Sequence, residues 1–224
     1  MGKIQIGSRS AAPFADRREA GRLPAREFER FRADRPVVLG IPRGVVVVAA
    51  AVADHLGAEL DIVLSRKIGA PGNPELAIGA IAEDGRLFLD ELLARRTGAS
   101  QAFISREQER QLAEIGRRVA LFRKVRPKVP LLNRVVIVVD DGLATGATMQ
   151  AALWAARRDR PHSTVAAVPV GAMDTVDRLS ESADEFVCLR VPEDFGAVGR
   201  FYRDFDQVED EEVLALLERH ATAG

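Results

Sequence analysis

Residues 134–158 read RVVIVVDDGLATGATMQAALWAARR, and the fold is decided there. Val135 to Val139 are β-branched without polar alternation, the pattern of a strand covered on both faces of a parallel sheet. Asp140 and Asp141 follow at the C-terminal end of that strand, where open α/β sheets bind their ligands. Ala144, Thr145, Gly146, Ala147 and Thr148 then set small side chains, two hydroxyls and free backbone N–H groups at the start of a helix. Unsatisfied amides and the helix dipole both favour an anion at such a point. Carboxylates do not bind phosphate, but beside a phosphate nest they suit sugar hydroxyls or a divalent cation, so the pattern describes a ribose 5-phosphate. It is no Walker loop, because the GxxxxGK[ST] lysine is missing. The plainer alternative is an ordinary strand-to-helix turn with a capping Asp.

Upstream, VVLGI, PRG, VVVVAAAVADHLGAEL and DIVLS (37–65) read strand, glycine turn, helix, strand, a βαβ unit. Arg66 to Gly85 is rich in Gly and Pro and is expected to be a loop. Ser100 to Lys124 carries Ile104, Leu112, Ile115, Val119 and Phe122 at helical spacing and is expected to be a connecting helix. Downstream come a strand at 164–169, a helix near 174–179 and a strand at 185–189. The expectation is an α/β fold: one mostly parallel sheet of about five strands, flanked by helices. The whole chain reads as a single domain with a helical segment at 14–32, the core at 36–190, and a small C-terminal hood and final helix at 191–224.

Composition narrows the function. With 32 basic and 33 acidic side chains among 224 residues, no global field draws the protein onto nucleic acid or anionic membrane, so phosphate recognition has to be local. The basic run 117–128 reads as a solvated helix face. One cysteine, Cys188, cannot make an intramolecular disulfide or a thiolate-rich metal site, and with three separated histidines structural zinc is not expected. Val45 to Ala53, the longest apolar run, falls far short of the ~20 residues that cross a bilayer, and Met1 to Phe14 lacks a signal peptide's apolar core. A cytoplasmic protein without membrane partners is expected.

VVIVVDDGLATGATMQAA resembles the phosphoribosyl pyrophosphate signature of type I phosphoribosyltransferases. The resemblance implies that Asp140 and Asp141 face the ribose hydroxyls and hold Mg2+, while Ala144 to Thr148 hold the 5-phosphate. GIPRG (40–44) is similar to the family's pyrophosphate loop, which implies diphosphate contacts for Arg43 and Gly44; alone, strand-PRG-helix is more often a structural turn. SRKIGAPGNPELAIGAIAEDG (65–85) resembles the flexible loop of the adenine and orotate enzymes, implying that Arg66 and Lys67 neutralise the leaving group. Among these enzymes the adenine type is nearest: Ala144 stands where 6-oxopurine enzymes carry an aspartate, and Glu83 lies 83 − 66 = 17 positions beyond Arg66, where the adenine enzymes place a glutamate. Glu83 is therefore a candidate acid/base or orienting group, or simply part of a turn-forming Glu-Asp-Gly. Gly142 departs from the family pattern, and the loop lacks a second lysine.

From FADRREAGRLPA to FYRDFDQVEDEEV the chain resembles a group of bacterial predicted phosphoribosyltransferases without an assigned acceptor. The implied activity is Mg2+-dependent transfer of phosphoribosyl from phosphoribosyl pyrophosphate to a purine-like base, with Asp141, Arg66 and Glu83 as catalytic residues. A homodimer is a possible assembly. The acceptor is expected under the C-terminal hood, with Phe195 stacking on it and the neighbouring rings packing as core. The alternative is a non-catalytic regulator that binds the donor or a nucleotide.

Overall fold

β1 (Lys3–Ser8) leads into α1 (Arg17–Ala25) and a 3-10 stretch, Arg26–Asp34. The first βαβ unit follows as β2 (Val37–Gly40), α2 (Val45–Leu56) and β3 (Glu59–Ile62), then β4 (Ser65–Ala70), β5 (Asn73–Ala82) and β6 (Leu87–Leu89). Two helices come next, α3 (Glu91–Arg96) and α4 (Gln101–Phe122), the latter started by Ser100, whose hydroxyl accepts from the Phe103 amide at 3.2 Å. β7 (Val135–Val139), α5 (Ala147–Arg158), β8 (Ser163–Val170), α6 (Met173–Leu179), β9 (Glu185–Arg190) and α7 (Asp210–Ala221) complete the chain. This computed structural model describes residues 2–221; Met1 and the last three residues of the expected hood segment, 222–224, lie outside the described residues.

The main sheet has the order β1-β9-β8-β7-β2-β3, every pairing parallel. β7 is central and wholly buried, as its unbroken apolar run requires. α2, apolar nearly all round, is sandwiched between the sheet and the outer helices α1 and α7. The sheet has six strands, close to the expected number of about five. β1 escapes sequence reading because it is a half-exposed edge whose Lys-Ile-Gln-Ile alternation carries few apolar residues. Among the described residues no helix is long and apolar enough to cross a membrane.

The expectation of a loop at 66–85 is corrected. That segment is most of a second, antiparallel sheet in the order β4-β5-β6. Its glycines read as punctuation but serve close packing: a Cβ on Gly69 would stand 2.6 Å from the Pro74 carbonyl oxygen, and one on Gly79 would stand 2.5 Å from that of Phe88. A separate aromatic cluster, Phe14, Phe195, Phe201 and Tyr202, fixes the C-terminal segment to the start of α1.

Candidate active site

Adjacent parallel strands β2 and β7 place Gly40 beside Val139, so the turns that follow them emerge side by side. From β7 comes Asp140, 7% exposed, its Oδ1 accepting from the Asp141 amide at 2.9 Å. Burial, and then the neighbouring Asp141 charge, push its carboxyl well above the ordinary range. Burial also raises Asp141, opposed by Arg17, whose Nε donates to Asp141 Oδ2 at 3.2 Å. Arg17 comes from α1, lies 3.8 Å over the Phe205 ring and donates from Nη1 to the Asp206 carbonyl at 2.7 Å. It also passes against Gly44, where a Cβ would stand 2.9 Å from Arg17 Nε. Gly44 thus gives the guanidinium room to lie between the two turns. The Tyr202 hydroxyl donates to the Asp141 carbonyl at 2.6 Å.

The turn before α5 is held open from its outer side. Gly146 has φ +69° and precedes the first helical residue, Ala147. Thr175 Oγ1 donates to the Ala144 carbonyl at 2.7 Å, and Arg178 Nη2 to that of Thr145 at 2.5 Å. With those carbonyls engaged from α6, the amides of Thr145, Gly146 and Thr148 have no hydrogen-bond partner among the described residues. Ala144, Thr145 and Thr148 are exposed. Three unsatisfied N–H groups at the start of a twelve-residue helix form an anion cradle.

Next to the cradle lies a cavity of about 400 Å³, lined among others by Pro42, Arg66, Lys67, Gln111, Arg118 and Thr148. Arg66 Nε donates to Gln111 Oε1 at 3.1 Å, Lys67 Nζ lies 3.0 Å from Glu75 Oε2, and Arg118 Nη1 donates to the Pro42 carbonyl at 3.2 Å. Arg43, after a cis Pro42–Arg43 peptide, is turned toward α7, with Nη1 3.5 Å from Glu209 and 3.9 Å from Asp210. The anion cradle and the cationic cavity share Thr148, and the two carboxylates stand at the end of β7 that leads into the cradle.

Residues 16–206 match the family model of the phosphoribosyl transferase domain. The chain belongs to this family. A Mycobacterium tuberculosis H37Rv protein, provisionally named a phosphoribosyl transferase, is 46% identical over 206 residues, which cover 92% of this chain and 46% of that protein. The same values hold for its counterpart in strain CDC 1551. The chain thus spans about half the length of the curated relatives it matches. The crystal structure of TT1426 from Thermus thermophilus is 49% identical, with a TM-score of 0.87 over 92% of this chain and 98% of that one.

Of the expected residues, Arg66, Lys67 and Thr148 line the cavity, while Asp140, Asp141, Gly44 and the rest of the 144–148 turn follow the adjacent ends of β7 and β2 outside that lining. Glu83 is absent from the cavity lining. It sits in the turn between β5 and β6, where Arg123 grips it at 2.8 and 3.1 Å and Lys128 approaches to 3.6 Å. Arg123 also donates to the buried Asp61 at 2.6 Å, so Glu83 belongs to a structural ion network and the acid/base expectation gives way to the turn reading. Phe195 stacks on Phe201, ring centroids 5.3 Å apart, inside the aromatic cluster. The C-terminal segment does not roof the cavity; the β4–β5 hairpin and α4 do, and the one ring in its lining is Phe103. Cys188 is buried, its thiol pushed up to about 12, and Trp154 stacks on Phe88 at 4.2 Å.

Arg17 had no local signal in the sequence, standing 124 residues from its partner. Arg118 reads as one of several basic residues on a solvated face, and only the packing of α4 gives it a direction. No cluster of three or more His, Cys, Asp or Glu suited to a metal occurs among the described residues. Two adjacent carboxylates without a cage fit Mg2+ held largely by substrate oxygens and water, which is how this ion usually binds.

Proposed function

We propose that the chain transfers the 5-phosphoribosyl group from phosphoribosyl pyrophosphate to a nitrogenous, purine-like base and releases pyrophosphate. The observation that carries this reading is the union of the unsatisfied 145–148 cradle with Asp140 and Asp141 beside a cavity walled by Arg66, Lys67 and Arg118. The cradle takes the 5-phosphate, the acids accept from the ribose hydroxyls, and the cationic wall takes the diphosphate. The C1–O bond to pyrophosphate breaks with its electron pair going to the leaving oxygen. A base nitrogen gives its lone pair to C1, and that nitrogen's proton leaves to pyrophosphate or water. The protein's part is positioning and charge stabilisation around an oxocarbenium-like C1. Asp140 and Asp141 would hold Mg2+, which when bound supplies positive charge against the departing pyrophosphate. Phe103 is the ring available to a flat acceptor.

A second reading, a donor-binding regulator without turnover, is favoured by the ion pairs that Asp141 and Arg43 already make with Arg17, Glu209 and Asp210. Incubation with donor, Mg2+ and a panel of bases, assayed for pyrophosphate, separates the two. Release with at least one base supports transfer, and tight donor binding without release supports the regulator. Asp141→Asn is expected to abolish nucleotide formation and weaken donor binding; unchanged donor affinity would remove Asp141 from the site.

A further inference from the structure

Helix α4 does more than connect. Phe103, Glu107, Gln111, Ile115 and Arg118, at steps of four, four, four and three residues, present one of its faces to the cavity. Most cations around this site are already paired: Lys67 with Glu75, Arg110 with Glu107, and Arg43 with Glu209. Arg66 and Arg118 are different. Neither has a carboxylate within 4.0 Å among the described residues, and their hydrogen bonds there go to the neutral Gln111 side chain and the Pro42 carbonyl. Burial, and then the nearby Arg66 charge, disfavour the Arg118 cation; Asp210 opposes them, Arg43 adds a smaller repulsion and Glu114 the least opposition. A guanidinium stays protonated in proteins, so the repulsion persists until an anion enters.

The position of that anion follows from two contacts. Arg118 is anchored to Pro42, in the turn after β2, whereas the 5-phosphate cradle is the turn after β7. On the donor reading the 5-phosphate occupies the cradle, so an anion at Arg118 would be the donor's other phosphate-bearing group. We propose that Arg118 of α4, together with Arg66, binds the pyrophosphate of the donor, as a substrate-binding residue outside both strand-end turns. Gln111 supports it by fixing the Arg66 side chain through Nε, and the Arg66 Nη groups have no partner among the described residues. As the C1–O bond breaks, the electron pair settles on the pyrophosphate oxygen, and the paired guanidiniums offset that gain in charge.

This proposal rests on the donor reading given above, and inorganic pyrophosphate and ribose 5-phosphate separate the two. Calorimetric titration of each into the intact chain is expected to show that Arg118→Gln weakens pyrophosphate on the order of 10- to 100-fold, the loss of a charge-assisted contact, and leaves ribose 5-phosphate within about twofold. Arg118→Lys, which keeps the charge without the planar fork, should fall between. Arg117→Gln, on the exposed face beside it, should match the wild type and exclude a general loss of helix charge. Pyrophosphate affinity unchanged in Arg118→Gln, or equal losses for both ligands, would overturn the assignment while the donor reading stands. Wild-type protein that binds neither ligand would overturn both.

Discussion

Gly146→Ala tests the cradle most directly, because one methyl group strains its backbone and its support together. Gly146 has φ +69°, a conformation that costs an L-residue roughly 1–2 kcal/mol. An added Cβ would stand 2.4 Å from Leu179 Cδ1 and 2.8 Å from Thr175 Cγ2, both buried on α6. Overpacking of this kind costs about 1–3 kcal/mol, so the total is about 2–5 kcal/mol. In a chain of this size each kcal/mol moves the melting temperature by about 2–4 °C, which gives a fall of about 4–20 °C. Displacement of α6 would also pull Thr175 and Arg178 off the carbonyls of Ala144 and Thr145, loosening the amide array. Ribose 5-phosphate should then bind about tenfold more weakly or worse. Gly116→Ala is the control: nothing lies within 4 Å of its Cβ position inside α4, so the same change should stabilise by about 0.5–1 kcal/mol. Thermal melts and calorimetry of the two variants decide it. A Gly146→Ala protein that melts within about 2 °C of wild type and keeps its ribose 5-phosphate affinity refutes the argument.

Other variants probe the charges. Arg17→Met leaves Asp141 buried without its cation and should cost up to about 3–5 kcal/mol near neutral pH in denaturant unfolding. The loss should shrink in acid, where a protonated Asp141 no longer needs the partner. Asp140 has a raised carboxyl, so its contribution to stability is complete below the unfolded-state value and is lost as pH rises through the folded value. Asp140→Asn should therefore melt above wild type near pH 7, with the gap closing toward about pH 4, and should bind donor less well. A constant gap across that range would count against the burial argument. Glu83→Ala should destabilise by about 1–3 kcal/mol, because Arg123 loses two hydrogen bonds but keeps Asp61 and Lys128 keeps Asp159, while turnover per folded molecule is retained. A selective loss of kcat in a still-folded Glu83→Ala would restore the acid/base role.

The cradle turn is legible in the sequence because its geometry is local. A β-branched run, two acids, and a glycine before a helix fix one strand end and one turn within fifteen residues, and no distant partner is needed to lay out the amides. The same locality misleads at 66–85, where Gly69 and Gly79 look like loop residues until a neighbouring strand's carbonyl explains them. Glu83 shows the other limit. A spacing of 17 residues singles it out along the chain, but Arg123, 40 residues away, takes its carboxylate into an ion pair.

The sequence by itself determined the parallel sheet and the 140–148 turn, both of which depend on residue type and short-range spacing. Tertiary structure decided the rest. It brought Arg17 to Asp141 and Arg118 to Pro42, buried Phe195 against Phe201, and made α4 and the β4–β5 hairpin the walls of the cavity. Backbone conformation follows from neighbours in the chain, whereas the partner of a charged or aromatic side chain is set by which faces pack, and packing satisfies the whole molecule at once.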